Sequence, residues 1–247
     1  MQQIALGFTP GDVVIVTGAG SGIGRATARN AATIGLAVAA WDLDPGAVAE
    51  TVRDIGQAGG RAVAATADVA DDAQVAAAFE ATAAELGEAR YLVNNAGPAS
   101  ASELEFDRAI TICIGSMRRV ATGWLSRGQQ DGAALVNVSS VAGNLIGSAP
   151  DWYPAAKAGI AGYTRHLAAY RSEEVRANAV APGMTDTPRL AGFTASETGQ
   201  RALARIPLHR LATPDEISWA ILFLLSPLAS YINGVLLTVD GGWTVTQ

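Results

Sequence analysis

Two spacings of apolar residues alternate along this chain. Short runs rich in Val, Ala and Ile fall at Val13–Thr17, Ala37–Asp42, Ala62–Asp68, Tyr91–Asn94, Ala134–Ser139, Arg176–Val180 and Val235–Val239. Several lack polar alternation, as expected of strands in a parallel sheet covered on both faces. Between them lie stretches of helical pattern at Ile23–Ile34, Gly46–Gln57, Ala73–Leu86, Glu103–Trp124, Trp152–Tyr170 and Pro214–Leu225. Turn signals such as Asp44-Pro45-Gly46 and Gly59-Gly60 mark the joints. The alternation predicts an α/β fold, doubly wound, with seven parallel strands flanked by helices. Ligands are then expected in the crevice beyond the carboxyl ends of the strands. No linker or repeat interrupts the pattern, so residues 1–247 read as a single domain. Residues 184–206, rich in Thr, Gly and Ala without a clear period, read as a lid over a substrate.

Composition narrows the partners. Hydrophobic residues make up 49 % of the chain and charged residues 16 %, which provides for a large core. A net charge of −6 argues against nucleic acid or an anionic membrane as partner, since both call for a basic surface. The single cysteine, Cys113, excludes an intrachain disulfide and a multi-thiolate metal site, and fits a reducing cytoplasm. His166 and His209 are the two histidines, and no His-x-x-x-His or Cys-x-x-Cys spacing occurs, so no metal is expected. Met1 to Thr9 lacks a basic start followed by an apolar stretch, so no secretory leader is expected. The longest apolar run, Trp219 to Leu225, is far short of the ~20 residues of a membrane span.

The first predicted strand runs into Thr17-Gly18-Ala19-Gly20-Ser21-Gly22-Ile23-Gly24 and a helix follows. Glycines let a backbone turn sharply and approach a pyrophosphate, towards which helix N-terminal N–H groups point. Gly18, Ser21, Gly22, Ile23 and Gly24 are therefore candidate contacts of a dinucleotide, and the fold reads as a Rossmann domain. The second strand ends at Asp42, 18 positions beyond Gly24, near the ~20 expected for an acid that binds the adenosine ribose. Its charge would repel a 2′-phosphate, and neutral Leu43 follows, so NAD is expected rather than NADP. Asp68, with Val69 after it, ends the third strand where an adenine amino group would lie.

Three further segments carry chemistry: Asn94-Asn95-Ala96-Gly97 after the fourth strand, Ser139-Ser140 after the fifth, and Tyr153-Pro154-Ala155-Ala156-Lys157 opening the next helix. With the glycine loop and Ala181-Pro182-Gly183, they resemble the short-chain dehydrogenase/reductase family over essentially the whole chain. Removing a hydroxyl proton while a hydride leaves needs a base, and a phenol is ordinarily protonated at neutral pH. Tyr153 and Lys157 are one helical turn apart, so an ammonium lies close to the phenol and favours its anion. Pro154 is tolerable if the helix starts near Asp151, which would serve as its N-cap.

The resemblance implies an oxidoreductase acting on a secondary alcohol or ketone. In it Ser140, Tyr153 and Lys157 are catalytic, Tyr153 is the general acid/base and Lys157 also holds the nicotinamide ribose. It implies cofactor contacts from Asn95, Ala96, Gly97, Pro182, Gly183, Thr185 and Thr187, and a homotetramer or homodimer joined through the final strand. Aligning Phe106-Asp107-Arg108-Ala109-Ile110 puts Cys113 where the family usually has an asparagine that holds a proton-relay water, which leaves that relay in doubt. Two other readings stay open: reduction of a 3-oxoacyl thioester, and a nucleotide-sensing protein without catalysis. The walls expected for the substrate are Pro98–Ser102, Ala142–Ala149 and Met184–Arg205. With few charges beyond Asp186, Arg189 and Glu197, they suit a small or medium, mainly apolar compound.

Overall fold

A strand with no water-facing side must lie inside a sheet, and β1 (Val13–Thr17) is buried at all five positions. The computed structural model describes residues 6–144 and 147–246. Residues 1–5, where the reading of the N-terminus mostly falls, and 145–146 of the expected substrate wall lie outside them. β1 pairs with β2 (Ala37–Asp42) and β4 (Ala89–Asn94). The sheet extends through β3 (Ala62–Thr66) on one side and β5 (Ala134–Val138), β6 (Arg176–Pro182) and β7 (Leu236–Val239) on the other. Its order is β3-β2-β1-β4-β5-β6-β7 and every pairing is parallel. Strand order reverses between β1 and β4, which opens a crevice at their carboxyl ends.

Alternate residues of each strand feed two cores. Ile15, Trp41, Leu92 and Leu135 pack with Phe79 and Val75 of α3 (Asp72–Leu86) and Val120 and Trp124 of α5 (Ser116–Leu125). On the other face Val14, Val16, Val38, Val93 and Val136 meet α1 (Gly22–Thr33), α2 (Pro45–Gln57) and α8 (Pro214–Leu225). The apolar runs are thus the strands of a doubly wound Rossmann-like sheet, with β3 and β7 at its edges. Among the described residues, no helix is long and apolar enough to cross a membrane.

Most boundaries shift by one or two residues, and three differences from expectation bear on the site. The helix predicted over Glu103–Trp124 is two helices, α4 (Phe106–Ile110) and α5, joined by a π turn at Thr111–Gly115. The extra residue in that turn changes the face presented. Ala109 and Cys113 lie against Trp152 and Ala156 of α6 (Trp152–Tyr170), whereas Val120 and Trp124 face the sheet. β3 ends at Thr66 rather than Asp68, because the Asp68 carboxylate accepts the Ala70 N–H (2.8 Å) and turns the chain. Within residues 184–206 a helix, α7 (Glu197–Ala204), is capped by the Ser196 hydroxyl, which accepts the Gly199 N–H.

Candidate active site

The glycine loop is tied to the end of β4 by a hydroxyl and an amide. Thr17 Oγ1 accepts the N–H groups of Asn95 (3.0 Å) and Ala96 (3.1 Å), and donates to the Val93 carbonyl. The Asn95 amide donates to the carbonyls of Thr17 and Gly18. Asn95 therefore shapes the loop, and its amide hydrogens are committed there rather than to a ligand. Close approach explains two glycines. A Cβ on Gly24 would sit 2.0 Å from the Gly18 carbonyl oxygen. One on Gly20 would sit 2.8 Å from the Asp42 Oδ2 that accepts the Gly20 N–H. Both positions keep the loop compact and bare of side chains where α1 begins, and the N–H groups of a helix N-terminus suit an anion.

Asp42 stands at the rim of this loop, its second oxygen accepting the Asp44 N–H. Ser21 and Leu43 are exposed beside it. Arg25, the nearest base, is engaged elsewhere: it donates to the Gly20 carbonyl and pairs with Glu50 at 2.9 Å. Asp68 and Val69, half-buried, follow β3 at the same edge.

The chemical centre is assembled from β5 and α6. Lys157 Nζ donates to the Val138 carbonyl at the end of β5 (3.0 Å) and lies 5.8 Å from the centre of the Tyr153 ring. The neighbouring Ser139 hydroxyl donates to the Lys157 carbonyl (2.7 Å), fixing the helix against the strand. Ser140 Oγ accepts the Ala142 N–H (3.2 Å), which leaves its proton to donate. Asp151 caps α6 by accepting the Trp152 N–H, so Pro154 falls in the first turn, where no helical hydrogen bond is lost.

A buried ladder beneath this centre was not read from the sequence. The Asn94 amide donates to Asn137 Oδ1 (3.1 Å), and Asn137 donates to Thr164 of α6 (2.9 Å). Polar residues near the ends of apolar strands were its only signal. Gly143 was missed too: a Cβ there would lie 2.3 Å from the Lys157 carbonyl carbon.

Cys113 is 5 % exposed and packs with Ala109, Trp152 and Ala156, close to Tyr153. Burial pushes its thiol above the ordinary range, and the Lys157 charge opposes this without overcoming it. No cation flanks Cys113 in sequence; the fold supplies Lys157. A thiol held protonated and covered is a poor nucleophile. Native protein at neutral pH is expected to resist a disulfide reagent until denaturant is added, which a thiol titration measures.

At the far side of the crevice, Pro182 ends β6, and the N–H of Gly183 after it donates to the Val239 carbonyl. The buried Thr185 hydroxyl donates to the Gly183 carbonyl. Thr187 faces Gly22: a Cβ on that glycine would lie 3.1 Å from its methyl. Arg189 crosses the crevice and donates to the Gly97 carbonyl (2.7 Å). The predicted residues of the glycine loop, β4, β5, α6 and β6 therefore share the carboxyl edge of one sheet. Among the described residues no three His, Cys, Asp or Glu side chains gather where they could hold a metal ion.

This order of motifs on this topology has counterparts of known kind. The family model described as enoyl-(acyl carrier protein) reductase matches residues 18–244. The chain is 43 % identical over 243 residues to cis-4-hydroxycyclohexanecarboxylate dehydrogenase of Sinomonas cyclohexanicum, covering 94 % of this chain and 96 % of the relative. The chain belongs to the short-chain dehydrogenase/reductase family. Another member, 4-formylbenzenesulfonate dehydrogenase of Comamonas testosteroni, is 38 % identical over 243 residues, with coverage of 93 % and 96 %. The crystal structure of 3-ketoacyl-(acyl-carrier-protein) reductase from Brucella melitensis, complexed with NADH, superposes with a TM-score of 0.85 at 32 % identity, covering 95 % of this chain and 99 % of that one. The protein is thus an oxidoreductase of a family whose dehydrogenases use nicotinamide cofactors.

Proposed function

We propose that this family member is an NAD-dependent dehydrogenase of secondary alcohols, with Tyr153 as general acid/base and Ser140 and Lys157 beside it. The arrangement of Lys157 between the Val138 carbonyl and the Tyr153 ring carries the reading. When bound, the nicotinamide supplies the hydride acceptor. The chain's own residues handle the proton. Ser140 hydrogen-bonds the substrate oxygen, Tyr153 takes its proton, and the Lys157 ammonium stabilises the phenolate until that proton is passed on. Gly18, Ser21, Gly22, Ile23 and Gly24 would hold the pyrophosphate, Asp42 and Leu43 the adenosine ribose, and Asp68 and Val69 the adenine. Ala96, Gly97, Pro182, Gly183, Thr185 and Thr187 would line the nicotinamide half.

The relatives act on a hydroxycyclohexane acid and a formylbenzene acid by name, which favours a six-membered ring in the substrate. Residues 184–206 act as its lid. The edge strand β7, half-buried at each position, is where copies would join as a homotetramer or homodimer, and a cytoplasmic location goes with this reading. The 3-oxoacyl reductase reading is not separated by cofactor choice, since one such structure holds NADH. It is separated by substrate: a ring ketone against a 3-oxoacyl thioester. A nucleotide sensor would have no use for the Tyr153–Lys157 pair.

Cofactor choice has its own test. Asp42→Ala with Leu43→Arg lifts the repulsion of a 2′-phosphate and supplies a partner for it. The ratio of kcat/KM for NAD over NADP is expected to fall by about 100-fold, a change of about 2.7 kcal/mol. A wild-type protein that uses NADP as well as NAD would end this reading of Asp42.

A further inference from the structure

We propose that Arg189 anchors an anionic group on the substrate, so that the alcohol oxidised here carries a carboxylate or sulfonate away from the reacting carbon. The inference rests on the alcohol-dehydrogenase reading and adds the substrate's charge to it. Of the segments expected around the substrate, Pro98–Ser102 and Ala142–Ala149 contain no charged residue. Within residues 184–206, Arg201 is paired with Glu197 on the outer turn of α7. Arg189 forms no ion pair among the described residues. Its single bond there is from one Nη2 hydrogen to the Gly97 carbonyl, 92 positions earlier in the chain.

That bond fixes where the guanidinium lies. Asn94 of β4 and Asn137 of β5 are partners in register, and Gly97 and Ser140 each lie three residues beyond that pair. β4 and β5 are neighbouring parallel strands, so Gly97 and Ser140, which follow them, lie at the same carboxyl edge of the sheet. Arg189, exposed and bonded to the Gly97 carbonyl, therefore brings a full positive charge to the same edge of the crevice as Ser140. One of five donors is used on Gly97, and the remaining fork matches the two oxygens of a carboxylate or sulfonate. The protein as a whole carries −6 and repels anions at long range. A cation without a carboxylate partner, held beside the crevice, reverses that locally. As a latch alone the bond needs no charge, for a neutral amide donor would close on Gly97 equally well.

The test compares cis-4-hydroxycyclohexanecarboxylate with uncharged cyclohexanol, using NAD, in the wild type, Arg189→Met and Arg189→Lys. Calorimetry with cyclohexanecarboxylate, which has no hydroxyl to react, reads the anion site directly in the NADH-loaded protein. The wild type is expected to favour the hydroxy acid, and Arg189→Met to cut that preference by about 10- to 100-fold, the range of a charge-assisted hydrogen bond. Most of the change should fall in KM, with Arg189→Lys intermediate because the charge remains and the fork does not. Cyclohexanecarboxylate binding should be lost in Arg189→Met. Equal losses for both alcohols would overturn the proposal, and so would a loss of NADH affinity, which would put Arg189 on the cofactor. If neither alcohol reacts, the alcohol reading fails and calorimetry still decides Arg189. Binding that depends on Arg189 supports the anchor; its absence in the wild type overturns it.

Discussion

Replacing Tyr153 by phenylalanine is expected to lower kcat by about 1000-fold, within the range seen when a positioned acid/base group is removed, while NAD affinity and thermal stability stay close to wild type. The two halves of that outcome have separate causes. The ring is structural: it packs edge-on against Trp152, with centroids 5.5 Å apart, and borders the buried cluster around Cys113. Phenylalanine keeps these contacts. The hydroxyl takes part in no hydrogen bond among the described residues, so its removal leaves no buried partner unsatisfied. What disappears is the group proposed to receive the substrate's proton beside the Lys157 ammonium. NAD affinity is proposed to rest on the glycine loop and Asp42, on other strands, and should barely move. Steady-state kinetics with a ring alcohol, calorimetric titration of NAD and a melting curve give the three numbers. Retention of more than a few per cent of wild-type turnover would remove Tyr153 from the proton's path, and a parallel fall in NAD affinity would make it a binding residue.

Much of the architecture was legible because parallel strands buried on both faces have nothing to alternate with. The runs at Val13–Thr17 and Ala37–Asp42 became β1 and β2 without a shift of one residue. Placements set by the local chain, such as Asp42 at a strand end and Lys157 one turn after Tyr153, were equally readable. Relations between distant segments were not. The clasp from Thr17 and Asn95 joins residues 78 positions apart, and nothing in either neighbourhood announces it. The π turn around Cys113 was hidden for a related reason. A helical period read over Glu103–Trp124 averages across one extra residue, although that residue decides whether Cys113 faces α6 or the sheet. Arg189 stands in the sequence as one of the few charges of an expected substrate wall, and only its bond to Gly97 shows which part of the crevice it reaches.

Gly24→Ala is a case in which local and long-range physics predict opposite signs. Gly24 lies in the first turn of α1, and in a helix alanine is better than glycine by about 1 kcal/mol. On that ground alone the variant should be more stable. The structure places the added methyl 2.0 Å from the Gly18 carbonyl oxygen and 2.6 Å from the Asn95 amide nitrogen. The first neighbour is backbone and the second is held by two hydrogen bonds, so neither can swing aside as the end of a flexible chain would. The loop itself has to move, breaking the clasp that shapes it. Overpacking of this kind costs about 1–3 kcal/mol, and at about 2–4 °C per kcal/mol for a chain this long Tm should fall by roughly 2–12 °C. NAD affinity should fall further, by about 100-fold, because the N–H groups proposed to meet the pyrophosphate are the ones displaced. Gly56→Ala supplies the internal control: it is also helical, a Cβ there meets nothing within 4 Å, and it should gain up to about 1 kcal/mol with NAD binding unchanged. Melting curves with and without NAD separate the two effects. If Gly24→Ala instead melts at or above the wild-type temperature and binds NAD normally, the close approach of α1 to Gly18 does not build the cofactor cradle, and the loop must hold its ligand in another shape.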